Sequence, residues 1–213
     1  MTATRLQAEA FTGALRRRAA RYGVEPDAQA IEQLQRYYEQ VQAWNARLHL
    51  VAPCPPEEFA TRHVLESLVA LPFLAEGARV ADVGSGAGLP IIPCLILRPD
   101  LSATLIEAST KKAVFLREAL RGLNLGDAAR VINRRFETTE PLQIDSVTCR
   151  ALDRFTEMIR KLLRWSPAAS TLLLFGGPTL RAEMDKHALN YTTVRMPESE
   201  QRFLFVVKER SDS

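Results

Sequence analysis

Val80-Ala81-Asp82-Val83-Gly84-Ser85-Gly86-Ala87-Gly88-Leu89-Pro90 is the stretch whose reading decides the fold. It begins as a short buried strand, turns on glycines, and starts a helix. An acid, Glu107, follows 19 residues after Gly88 and closes a second apolar run, Ala103-Thr104-Leu105-Ile106. That layout places a nucleotide site at the carboxyl end of a parallel sheet. Glycines let the backbone take positive φ and pass close to a ligand. The helix amides that follow suit a carboxylate or phosphate. An acid at the next strand end can accept hydrogen bonds from both hydroxyls of a ribose.

The spacing separates candidate ligands. A dinucleotide fingerprint reads G-x-G-x-x-G. Here the glycines stand at 84, 86 and 88, and Leu89 holds the third-glycine position. Asp82 sits two residues before Gly84. The pattern D-x-G-x-G-x-G, with an acid at the next strand end, resembles the S-adenosylmethionine site of class I methyltransferases. Asp82, Gly84, Ser85, Gly86, Gly88 and Leu89 are the loop's cofactor-binding candidates. The competing reading is an ordinary strand, turn and helix with flexible glycines. Asp82 reads as an acid that orients the loop.

The 213 residues, 46% hydrophobic and 25% charged, suit one globular domain with a small appendage. No apolar run approaches bilayer-spanning length, and the start lacks a signal-peptide core. Cys54, Cys94 and Cys149 fit neither a zinc site nor a disulfide framework. The expectation is a cytoplasmic protein with reduced thiols, no metal and no membrane partner. Cys149 reads as a buried strand cysteine. A net charge of +3 shows no strong nucleic-acid footprint. Residues 1–24 nevertheless hold Arg5, Arg16, Arg17, Arg18 and Arg21 against Glu9 alone. Arginine suits phosphate geometry; a solvated helix face explains the same cluster.

Helices are expected at 4–22 and 27–45, the second with Ile31, Leu34, Tyr38 and Val41 on one face. A third is expected over 56–74, with Phe59, His63, Leu65, Leu68 and Leu71 inward. Strands follow at 79–83, 102–107, 129–133, 144–149 and 171–175, alternating with helices at 88–97, 110–123, 152–164 and up to 188. Two last strands, 191–196 and 202–208, are joined closely enough to pair antiparallel. The fold class is therefore α/β: a mostly parallel, Rossmann-like sheet ending in an antiparallel hairpin. The helical stretch 1–75 is a cap laid on the core, 76–213, within one domain.

Further stretches line up in order: Trp44-Asn45-Ala46-Arg47-Leu48-His49-Leu50, Arg62-His63-Val64-Leu65-Glu66-Ser67-Leu68, Lys111-Lys112-Ala113-Val114-Phe115-Leu116, Arg135-Phe136-Glu137 and Arg150-Ala151. With the glycine loop they resemble the bacterial small-subunit ribosomal RNA guanine-N7 methyltransferases, over roughly residues 25–210. The resemblance implies an S-adenosyl-L-methionine cofactor and ribosomal RNA or the small subunit as partner; a monomer is the expectation for the chain. It implies that Gly84 and Leu89 line the cofactor pocket and that Glu107 takes the ribose. Phe136 and Glu137 match the pair beside the adenine. Arg150, just past a strand end, matches a cofactor-contacting arginine and is the catalytic candidate; a surface arginine paired with Asp153 is the alternative. His63, Lys111, Lys112 and Arg135 are RNA-binding candidates. Packing for His63, and solvation for both lysines and for the Arg134-Arg135 strip, compete with that role. Ile91, Glu66, His49-Leu50-Val51 and Phe175 depart from the family pattern. Two other functions remain open: a methyltransferase of a small molecule or protein, and a cofactor-binding relative without catalysis.

Overall fold

The computed structural model describes residues 3–140, 143–150 and 155–208. Three helices come first: α1 (Ala3–Arg18), α2 (Ala28–Leu48) and α3 (residues 56–68). The Asp27 carboxylate caps α2 by accepting from Ala30 N at 2.7 Å. His49 ends it in the left-handed conformation. The expected apolar face of α2 is buried, with Tyr37 added to it.

The single helix expected over 56–74 is corrected. Its middle, Phe59–Leu65, is π-helical, it stops at Leu68, and Leu71–Phe73 forms a separate 3₁₀ turn around Pro72. A π turn opens the carbonyl ladder so that outside donors can reach it. Phe59, Leu65 and Leu68 are fully buried, whereas His63 and Leu71 are only half-buried.

The core then alternates: β1 (Arg79–Val83), α4 (Ile91–Leu97), β2 (Ser102–Ile106), α5 (Thr110–Gly122), β3 (Ala129–Ile132), β4 (Ser146–Arg150), α6 (Phe155–Trp165), β5 (Thr171–Gly176), α7 (Pro178–Lys186), β6 (Thr192–Arg195) and β7 (Phe203–Val207). The helix expected from residue 88 starts at Ile91 because the turn runs through Pro90. Residues 152–154, expected in α6, lie outside the described residues, as do Ala151 and Asp153. The seven strands order as β3-β2-β1-β4-β5-β7-β6. β7 pairs antiparallel with both β5 and β6, and the other pairs are parallel.

The sequence order of the parallel strands reverses between β1 and β4, which makes the carboxyl edge there the place for a ligand. Register aligns that edge: Val83 is level with Ile106 and Cys149. β4 continues one residue to Arg150, opposite Phe175, so Arg150 is the strand's last residue. The central strands β1, β2, β4 and β5 are buried on both faces, as parallel sheets require. One face shares a core with the cap, where Phe11, Leu34, Tyr37 and Phe59 pack with Val80, Leu105 and Leu173. The other packs Val83, Ile106 and Leu174 with Ile159 and Leu162 of α6.

Candidate functional site

The loop leaving β1 turns on three left-handed glycines, with φ of 70° at Gly84, 54° at Gly86 and 86° at Gly88. Their reasons differ. A Cβ on Gly88 would sit 2.3 Å from Ile92 Cδ1, so this glycine lets the loop lie on α4. A Cβ on Gly86 would meet nothing closer than Gly84 O at 3.7 Å, so bare backbone there faces open space. The loop's amides are tied to the next strand: Gly84 N and Ser85 N donate to Ile106 O at 2.9 and 3.2 Å.

Glu107 bridges the same gap from the other side. Its Oε2 accepts from Gly86 N at 2.9 Å and its Oε1 from Ser109 N at 2.7 Å. The carboxylate thus orders the loop, a role beyond the expected ribose contact. Each oxygen keeps a second lone pair for a hydroxyl. Asn133, after β3, donates to Glu107 O at 2.9 Å and fixes this strand end. From the cap, the buried Tyr37 hydroxyl donates to Ala87 O at 2.8 Å.

Asp82 is fully buried beneath the loop. Thr148 Oγ1 donates to its Oδ1 at 2.6 Å, while Oδ2 has no partner. Burial pushes this carboxyl up to about 7; the Thr148 and Ser85 hydroxyls oppose the rise, and Glu107 adds to it. Ser85 itself donates to Asp82 O at 2.9 Å. The open backbone at Gly86 and the Glu107 carboxylate at the neighbouring strand end fit a ribose-bearing cofactor such as S-adenosylmethionine. Leu89, nearly buried, packs in the core shared with the cap.

Arg150 is turned onto the cap, with its side chain 14% exposed. Nη2 donates to Arg62 O at 2.5 Å and Glu66 Oε2 at 3.4 Å; Nη1 donates to His63 O at 3.4 Å and Ser67 Oγ at 3.2 Å. The π turn presents both carbonyls to it. Phe175 lies beneath, 5.7 Å from ring centre to guanidinium. Glu66 is 2% exposed and joins Arg150 to Arg202, whose Nε reaches Oε1 at 2.8 Å. Two departures from the family pattern, Glu66 and Phe175, therefore both touch Arg150. A third, Ile91, is core. The surface-arginine alternative is corrected: Arg150 is a largely buried tie between β4 and the cap.

The other candidates separate. Phe136 is turned into the core, edge-on to Trp165 at 5.6 Å. Glu137 pairs with Arg135 at 3.2 Å and Lys161 at 3.4 Å. Burial raises the Glu137 carboxyl, but its own amide and both cations outweigh that and hold it low. Arg135 is exposed. Lys111 is exposed and Lys112 half-buried on the first turn of α5, which Ser109 caps. His63 lies 5.1 Å from the Phe59 ring, and burial with Arg150, Arg62 and Arg202 drops it to about 3. It is a neutral packing residue whose carbonyl, not its ring, serves Arg150.

Tyr37, Thr148, Asn133 and Arg202 escaped sequence reasoning, because their partners are 50, 66, 26 and 136 residues away. A cavity of about 610 Å³ lies at the opposite, amino-terminal edge of the sheet, beside Arg79, Ser102 and Arg130. It is remote from these groups and from their chemistry. Among the described residues, no helix is long and apolar enough to cross a membrane.

Residues 30–210 match the family described as rRNA small subunit methyltransferase G. A ribosomal RNA small subunit methyltransferase G of Xanthomonas axonopodis pv. citri is 44% identical over 153 residues, 70% of this chain and 71% of that protein. One from Stenotrophomonas maltophilia is 42% identical over 134 residues, 63% of each chain. Among solved structures, an Aquifex aeolicus S-adenosylmethionine-dependent methyltransferase aligns with a TM-score of 0.54 at 17% identity, over 70% of this chain and 92% of that one. The M. jannaschii protein TYW2 in complex with AdoMet aligns with a TM-score of 0.51 at 14% identity, over 68% and 73%. At those identities the likeness is one of fold.

Proposed function

The chain belongs to the rRNA small subunit methyltransferase G family, and from that premise we propose that it transfers a methyl group from S-adenosyl-L-methionine to N7 of a guanine in small-subunit ribosomal RNA. The observation that carries the reading is the loop of Gly84, Gly86 and Gly88 pinned by Glu107 at the switch point of the sheet. Glu107 and the glycine loop would hold the cofactor, which would supply an activated sulfonium methyl; guanine N7, with a free lone pair and no proton, would form the new C–N bond as the S–CH3 bond breaks and S-adenosylhomocysteine leaves.

The protein's own work is then positioning, worth on the order of 7–11 kcal/mol in favourable cases. Glu107 holds the ribose while keeping the loop closed on it. Asp82, buried beneath the loop and held by Thr148, orients the loop toward the amino-acid end of the cofactor. Phe136 walls the adenine end from within the core, and Glu137 stands on its polar side. Arg150 holds the cap at the edge of the site and adds a fixed positive charge there. Lys111, Lys112 and Arg135 meet RNA phosphates, and the target base leaves its stack to reach the methyl. The enzyme works as a cytoplasmic monomer.

The test is incubation with labelled cofactor and small ribosomal particles, followed by mapping of the modified base. Label at guanine N7 is expected. Label elsewhere, or none, would overturn the assignment.

A further inference from the structure

α2 and α5 run antiparallel: Gln40 lies against Gly122, and Trp44 lies edge-on to Phe115 at 5.9 Å. Between them is a crevice of about 220 Å³. Gly122 is what admits the Gln40 amide, since a Cβ there would sit 2.2 Å from Gln40 Nε2. Gln40 Oε1 is buried and has no hydrogen-bond partner. An unpaired buried acceptor carries a cost unless something donates to it. Phe115 forms the floor, the half-buried Trp44 a wall, and Glu118 is neutralised by Arg121.

The helix register then carries the crevice toward the cofactor edge. One turn beyond Trp44 is Arg47, and one turn before Phe115 is Lys111. Both are exposed, and neither pairs with a carboxylate among the described residues. Lys111 is two residues from Ser109, which Glu107 holds. An aromatic wall, an unpaired acceptor and cations at the open end match the parts of a nucleotide: base, donor edge and phosphate.

We propose that this crevice is a second base-binding subsite, taking an unpaired base of the substrate RNA outside the target guanine. The base stacks on Trp44 and donates to Gln40 Oε1, while its phosphates meet Arg47 and Lys111. The proposal rests on the RNA reading of the active site. It gives Trp44 and Lys111 one shared task.

Two arms test it. In the first, Gln40→Leu keeps the bulk of the side chain but removes the acceptor, and Trp44→Phe narrows the stacking surface. Each should raise KM for small ribosomal particles about tenfold, with kcat and cofactor affinity unchanged. The second arm needs no methylation: a mixed-sequence single-stranded RNA should quench tryptophan fluorescence in the wild type. Because Trp165 is the other tryptophan, Trp44→Phe should abolish the quenching. A wild type that quenches but methylates no ribosomal RNA would defeat the proposed function and leave the crevice standing. KM values within twofold of wild type in both variants, or RNA without effect on Trp44 emission, would overturn the subsite. If Trp44→Phe fails to fold by circular dichroism, Gln40→Leu and the wild-type quenching still decide.

Discussion

Replacing Arg150 by alanine tests the joint between cap and sheet. The side chain donates four hydrogen bonds to the cap and stacks over Phe175. Burial pulls its guanidinium below the usual arginine range, while Glu66 pulls it back; it stays charged throughout. Its removal leaves Glu66, 2% exposed, with Arg202 as its remaining cation. Stripping one partner from a buried pair costs about 3–5 kcal/mol. The surviving Arg202 contact puts Arg150→Ala at the lower end, about 3 kcal/mol. For a chain of this size each kcal/mol moves Tm by about 2–4 °C, so a drop of about 6–12 °C is expected by calorimetry. Arg150→Lys should recover little of it, because one ammonium cannot span two carbonyls, a hydroxyl and a carboxylate in the planar geometry. Single-turnover methyl transfer should fall about a hundredfold with the cap unseated. A Tm within 2 °C of wild type, ~0.5–1 kcal/mol by the same scaling, would refute the claim that Arg150 ties cap to sheet.

Gly88→Ala should destabilise strongly, by about 1–2 kcal/mol of left-handed strain plus about 1–3 kcal/mol of overpacking against Ile92. Gly86→Ala has no such clash and should cost only the strain, about 1–2 kcal/mol, yet weaken cofactor binding in calorimetry; equal melting losses would contradict this split. Asp82 favours its protonated form in the folded state, so its contribution is full below pH 3.8 and is lost as pH rises towards about 7. The difference is about 4 kcal/mol at most, so the cofactor-free Asp82→Asn protein should show a flatter stability profile over that window by denaturant titration. The His63 ring has the opposite sense: its neutral form stabilises above pH 6.5, and that is lost as pH falls toward about 3. Its proton resonances, assigned through His63→Gln, should not titrate between about pH 5 and 8.

The glycine loop, its strands and the final hairpin were legible because local rules determine them. Only glycine takes positive φ freely at 84, 86 and 88. The segments at 79–83 and 171–175 have strand length and sit between turn residues. Helix α3 was legible as a helix but not as a π turn, since nothing in Phe59–Leu65 alone calls for one. Its open carbonyls are matched to a guanidinium from residue 150, and that match is tertiary. The acid at 107 was recognised from its spacing. Its bond to Gly86 N was not, because a ribose and a backbone amide ask the same thing of a carboxylate in sequence.

The departures from the family pattern take on a different meaning in space. In sequence, Glu66 and Phe175 are isolated oddities, 109 positions apart. In the fold they enclose one side chain, Glu66 by charge and Phe175 by its ring face. A carboxylate on the longer glutamate stem meets Arg150 and Arg202 together. An aromatic ring beneath the guanidinium favours the same cation. Both residues therefore act on how tightly the cap is seated, and they act in the same direction. Glu66→Asp should loosen both ties, because the shorter stem draws the carboxylate back from Arg202 at 2.8 Å and Arg150 at 3.4 Å. Thermal stability then falls while the loop, held from the sheet by Glu107 at Gly86 N, keeps its affinity for cofactor. Parallel losses of stability and cofactor affinity in Glu66→Asp would mean instead that cap and loop form one cooperative unit.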